Sequence, residues 1–148
     1  MIKSHFILYV EDQARSTAFY AQVLNCAPAL HVPGMTEFAL AENVILGLMP
    51  IAGIKRLLTD RLPDPARAAH IPRSEIYLLV SDPLAYHRRV LEAGAMELGG
   101  LEERNWGHRA AYSLDPDGHV LAFAGLLARD ASATATLIAL TFRWLKPC

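Results

Sequence analysis

The 148-residue sequence has no excess of either charge: fourteen Lys and Arg stand against fifteen Asp and Glu. No basic footprint exists for a polyphosphate backbone, so nucleic acid is not an expected partner. Cysteine is scarce. Cys26 and Cys148 are too few to staple a secreted scaffold and give no C-x-x-C metal spacing, which favours a reducing, cytoplasmic setting. Long apolar runs are missing as well. The best candidate, Leu137 to Leu145, is broken by Thr141 and Arg143 and is less than half of the about 20 residues that a membrane span needs. Met1 to His5 lead into a short mixed stretch instead of a charged region followed by a long apolar one, so no export signal is expected. What is abundant is hydrocarbon. With 53% hydrophobic and 20% charged residues, the chain is too apolar for disorder and long enough for one sizeable core.

The sequence is written twice. His5 to Asp12 (H-F-I-L-Y-V-E-D) and Glu75 to Asp82 (E-I-Y-L-L-V-S-D) match at Leu8/Leu78, Val10/Val80 and Asp12/Asp82 under one constant shift. Each copy is a strand-like run ending in Asp, whose carboxylate accepts the orphan N–H groups of a helix's first turn. A helix should therefore follow each strand. Phe19/Val23 and Tyr20/Leu24 supply helical spacing in the first copy. In the second, Pro83 occupies the first helical position, Tyr86/Val90 with Leu84 and Leu91 form the stripe, and Gly94 ends it. Further strands are expected at Thr36 to Ala41, Val44 to Met49, Ala110 to Leu114 and His119 to Ala124. The last two are joined by a hairpin turn at Asp115-Pro116-Asp117-Gly118. Pro50 to Pro72 reads as a connection carrying a short helix around Ile54 to Leu58.

These readings give an α+β chain of two βαβββ modules forming curved mixed sheets around a concave cavity. Module one covers about residues 1–60, a linker about 61–72 and module two about 73–126, within a single domain of residues 1–126. Residues 127–148 form a C-terminal apolar extension. Its Leu137, Ile138, Leu140, Phe142, Trp144 and Leu145 need cover, which points to an interface and a homodimer.

The V-E-D…A-F-Y-x-x-V-L pattern of residues 5–24, the second copy at 75–94, and W-G-H-R-A-A-Y-S-L-D-P-D-G-H-V-L-A-F from Trp106 to Phe123 together resemble the vicinal oxygen chelate superfamily. This family includes glyoxalases, bleomycin-resistance proteins, fosfomycin-resistance enzymes and extradiol dioxygenases. The resemblance implies ligand positions on the first and last strand of each module. By motif alignment these fall at His5, Leu46, Glu75 and Ala122. Two of the four are hydrocarbon, and Ile45, Gly47, Leu121 and Phe123 beside them bring no side-chain lone pair. A metal is therefore not expected, since zinc sites normally use at least three protein ligands.

If His5 faces the cavity, alternation places Ile7 and Tyr9 beside it, and Glu75, Tyr77 and Leu79 in the second module. Leu46 and Leu48 are expected there, as are Ala122 and Ala124, with Phe38 near the first hairpin and Trp106, Arg109 and Tyr112 at the entry to the penultimate strand. His5 and Glu75 form the candidate acid/base pair. Their mutual hydrogen bonding is the competing explanation. His31, His70, His87 and His119 lack metal spacing and carry no assigned chemistry. The expected function is binding of a mostly apolar or aromatic small molecule without a cofactor, as in the drug-binding resistance branch. The alternative is a glyoxalase-like lyase or isomerase that uses His5 and Glu75 as an acid/base pair or as partial metal ligands.

Overall fold

In the computed structural model, which describes residues 3–68, 71–72 and 74–127, the order of elements is that of two βαβββ modules. Module one contains β1 (Ser4–Val10), α1 (Gln13–Leu24), β2 (Leu30–Val32), β3 (Met35–Ala41) and β4 (Val44–Pro50). The connecting α2 (Ile51–Leu58) is followed by 3-10 turns at Thr59–Arg61 and Pro65–Ala68. Module two contains β5 (Glu75–Leu79), α3 (Pro83–Glu92), β6 (Met96–Glu103), β7 (His108–Leu114) and β8 (Val120–Leu126). Each module makes a four-stranded mixed sheet, in the orders β1-β4-β3-β2 and β5-β8-β7-β6, and in both the first and last strands of the module pair in parallel. The apolar extension from Ala131 onward, and His70, lie outside the described residues.

Among the described residues, the chain divides into two compact units. The first holds everything up to Pro72 together with Pro116–Gly118, and the second holds the rest. In the first unit, Asp12 caps α1 by accepting the Arg15 N–H at 3.0 Å, and α1 ends at Asn25 in the left-handed region. Phe19, Tyr20, Val23 and Leu24 of α1 are buried, with the Tyr20 ring 6.4 Å from that of Phe38 on β3. The same side of the sheet contributes Leu8, Val10, Leu46 and Leu48, all buried. Phe6 shares that parity but stands 62% exposed at the start of β1. Asp117, from the predicted turn, accepts from Ser16 Oγ at 2.8 Å, Arg15 Nη2 at 3.0 Å and the Glu11 N–H at 2.9 Å.

The second unit repeats the logic. Asp82 accepts the Ala85 N–H at 3.0 Å, Pro83 opens α3, and Gly94 follows its end at φ 98°. Tyr86 stacks on Phe123 at 5.4 Å with the Arg89 guanidinium 4.1 Å above it, and Val90 is fully buried. The helix also starts close to β8. A Cβ on Gly125 would meet Pro83 Cγ at 3.2 Å, so only a residue without a side chain lets the strand pass there unchanged. At the hairpin, the Asp115 N–H donates to the His119 carbonyl at 2.9 Å, and Gly118 takes φ 88°.

Candidate functional site

In a sheet, residues paired across neighbouring strands share a face, so register decides which side chains meet. In the first unit, β1 pairs with β4 as His5 with Ile45, Ile7 with Gly47 and Tyr9 with Met49. His5, Ile7 and Tyr9 thus lie away from α1, as the alternation implies. Leu46 and Leu48 do not join them. They pair with Phe6 and Leu8, lie on the α1 side and are buried in the core, and Phe38, in register with Leu46, is buried with them. The expectation was one residue out of step on β4, and one residue in a strand exchanges the faces. Ile45, Gly47 and Met49 take the place assigned to Leu46 and Leu48.

A carboxylate that the sequence reading passed over stands beside His5. Glu37 on β3, in register with Gly47, brings its Oε1 within 3.5 Å of His5 Nδ1, and both side chains are partly exposed. The signal lay in the T-E-F-A alternation, where Thr36 and Phe38 are core positions and Glu37 must face the other way. The expected partner, Glu75, begins β5 in the second unit, is exposed, and acts there on Tyr112.

The second sheet carries its expected residues on one face. Register aligns Tyr77, Ala122, Tyr112 and Gly99 in a single row across four strands, and Leu79, Ala124, Ala110 and Glu102 in the next. All lie on the face opposite Phe123, hence away from α3. Ala110, Ala122 and Ala124 are fully buried and form a floor without bulk, and Leu79 is exposed at its edge. Neighbouring strands lie about 4.8 Å apart, so the backbones bearing Tyr77 and Tyr112 stand about 10 Å apart across that floor.

Polar groups gather at the rim of this floor. Trp106 Nε1–H donates to the Tyr77 hydroxyl at 3.2 Å, and that hydroxyl shares a 3.0 Å hydrogen bond with His108 Nδ1. The Arg104 guanidinium lies 5.2 Å from the Tyr112 ring centre, and its Nη2–H donates to the Ala110 carbonyl at 3.2 Å. Its Nε is buried and meets no partner among the described residues. Burial raises the pKa of the Tyr112 hydroxyl above the ordinary phenol value. The Glu75 carboxylate and Tyr77 push in the same direction, and Arg104 opposes them. Tyr112 therefore remains a neutral donor throughout the physiological range.

Arg109, expected in this cluster, is not in it. It pairs with Gly125 and Glu103 and lies on the α3 side of the sheet, exposed. Arg104 and His108 supply the cation and imidazole instead. Counting back from Tyr112 in steps of two reaches Ala110 and His108, so His108 was accessible to the period-two argument. Arg104 was not, because it precedes the Gly107 turn and enters through its long side chain.

The chain matches the model of the Glyoxalase/Bleomycin resistance protein/Dioxygenase superfamily over residues 3–123, and it belongs to this family, the vicinal oxygen chelate superfamily. An uncharacterised protein of Mycobacterium bovis is 30% identical over 120 residues, covering 76% of this chain and 75% of its own. A counterpart from Mycobacterium tuberculosis is equally similar, with 67% of its length covered. Among solved structures, a glyoxalase-related enzyme from Fulvimarina pelagi superposes with a TM-score of 0.68 at 18% identity, over 82% of this chain and 86% of that one. A glyoxalase/bleomycin resistance protein/dioxygenase from Nocardioides gives 0.65 at 21% identity, over 86% and 84%. These structures share the fold.

The metal chemistry found in part of this family does not fit the residues present. Gly47 and Ala122 are equivalent in the two sheets, as the β-partners of Ile7 and Tyr77, and neither has a donor atom. A side chain is also sterically opposed at the first of them, where a Cβ on Gly47 would lie 3.1 Å from Ile7 Cγ1 and 3.6 Å from Met35 Sδ. Among the described residues, no three His, Cys, Asp or Glu side chains gather at one point.

Proposed function

We propose that this protein is a metal-independent small-molecule binder of the glyoxalase/bleomycin-resistance type, a cytoplasmic homodimer that sequesters or carries a mostly apolar or aromatic compound in the manner of a drug-resistance protein. The observation that carries this reading is the Tyr77–Ala122–Tyr112 row: two aromatic side chains rise on either side of an alanine, with the indole of Trp106 at the rim. Apolar walls with a few placed hydrogen-bonding groups are the usual composition of a small-molecule site. Here those groups are Tyr77, Tyr112, His108 and Arg104. They are mainly donors, which favours a guest bearing a carbonyl or another acceptor on its aromatic body. No helix among the described residues is long and apolar enough to cross a membrane.

The competing reading is a glyoxalase-like lyase or isomerase using His5 and Glu75 as acid and base. The Glu37 carboxylate 3.5 Å from His5 Nδ1 lends it support, because an acid/base imidazole needs a neighbour that holds its ring in one orientation. Two measurements separate the proposals. Metal analysis of the purified protein is expected to find no stoichiometric nickel, zinc or manganese. A thermal-shift screen of aromatic carbonyl compounds is expected to give hits whose size does not change with added divalent ions, since a guest that binds only the folded state raises the melting temperature. Stoichiometric metal, or hits that appear only with it, would overturn the binding proposal.

A further inference from the structure

Beneath α3, on the side of the second sheet turned away from the tyrosine row, two buried polar atoms meet no protein partner among the described residues: His87 Nδ1 and Ser113 Oγ. The His87 side chain is 6% exposed, and its Nε2–H donates to Glu97 Oε1 on β6 at 2.9 Å. Ser113 on β7 is fully buried. Glu97 and Ser113 are direct partners in the β6–β7 register. The carboxylate that holds His87 and the hydroxyl that lacks a partner therefore arise from one rung of the sheet, under the helix that carries the imidazole.

The chemistry of these two atoms specifies which partner each can take. In the tautomer whose Nε2–H is committed to Glu97, Nδ1 is an acceptor, and Ser113 Oγ offers one donor and two acceptor sites. An apolar filling would leave both desolvated and unpaired, which native interiors rarely tolerate. We propose that one water molecule is bound between them, donating to His87 Nδ1 and hydrogen-bonded to Ser113 Oγ. It completes a line from the half-exposed Glu97 through His87 into the core, and fastens α3 to β6 and β7 directly behind Tyr112. Serine, histidine and glutamate are also the residue types of a nucleophilic triad. Here Ser113 Oγ and His87 Nδ1 are not hydrogen-bonded to each other, so the nucleophile–base contact of a triad is not formed.

Nuclear Overhauser spectroscopy at the water frequency on the wild-type protein is expected to show a long-lived water in contact with the His87 ring Hε1 and the Ser113 β protons. Nitrogen shifts of His87 should report the Nε2–H tautomer with Nδ1 accepting. In the Ser113→Ala variant the water signal should vanish and the melting temperature should fall. If that variant does not fold, the wild-type spectra decide alone. Absence of a long-lived water at His87, a His87 ring in the Nδ1–H tautomer, or labelling of Ser113 by a fluorophosphonate would each overturn the proposal.

Discussion

Ile7 and Gly47 oppose each other across β1 and β4 so closely that a Cβ on Gly47 would start 3.1 Å from Ile7 Cγ1. A side chain at this position is thus opposed by the neighbouring strand. Gly47→Ala is expected to destabilise the protein by about 1 kcal/mol, because overpacking outweighs the entropy that alanine removes from the unfolded chain. Ile7→Ala in the same chain should recover part of this loss. Urea unfolding of the single and double variants checks it, and a Gly47→Ala protein more stable than wild type would contradict the close packing.

Asp117 holds the predicted turn to the start of α1 through Ser16, Arg15 and the Glu11 N–H, with its own side chain only 7% exposed. Asp117→Ala removes the acceptor from three donors, including a charged one, and is expected to cost about 2–3 kcal/mol. Asp117→Asn, which keeps an oxygen, should cost less. Equal midpoints for the two variants in denaturant unfolding would show that these bonds contribute nothing specific.

Tyr112 gives a pH dependence with a definite sign. Its folded pKa lies above the unfolded value of 10.0, chiefly through burial, so the unfolded chain releases this proton first as pH rises. The associated stability is fully present below pH 10.0 and is lost as pH climbs from there through the higher folded value. Ultraviolet titration should place Tyr112 among the late-ionising tyrosines, and Tyr112→Phe should reduce that late component and flatten the alkaline loss of stability. A late component of unchanged size in Tyr112→Phe would assign the shift to another residue.

The modules, both N-caps, Pro83, Gly94 and the Asp115–Gly118 hairpin were legible because each rests on local chemistry: a carboxylate before a helix, a ring at its first position, a glycine where φ is positive. Strand β6 was not read, since Met96–Glu103 contains Gly99 and Gly100 and its register with β7 shifts around Gly99, which erases the alternation. The second module's face was legible from period two alone. In the first module the same argument failed at Leu46 and Leu48, because Val44–Met49 is apolar at almost every position and its pattern contains no phase. Glu37 and His108 lay within reach of the same alternation, whereas Arg104, beyond the Gly107 turn, became visible only through its contact with Tyr112.

Replacing groups on the second sheet's face should change binding in separable ways. With 1-anilinonaphthalene-8-sulfonate as an aromatic probe, Tyr77→Phe removes the hydroxyl between Trp106 and His108 and is expected to weaken binding about fivefold, the scale of one neutral hydrogen bond. Ala122→Leu fills the floor between the tyrosines and should abolish probe binding while circular dichroism still reports a folded chain. Wild-type affinity in the folded Ala122→Leu variant would remove this face from the site.

The most direct test of the proposed metal independence is the affinity of the same probe before and after exhaustive chelation, followed by addition of nickel, zinc or manganese. The dissociation constant is expected to be unchanged at each stage. Loss of binding on chelation and its return with any one of these ions would contradict the account.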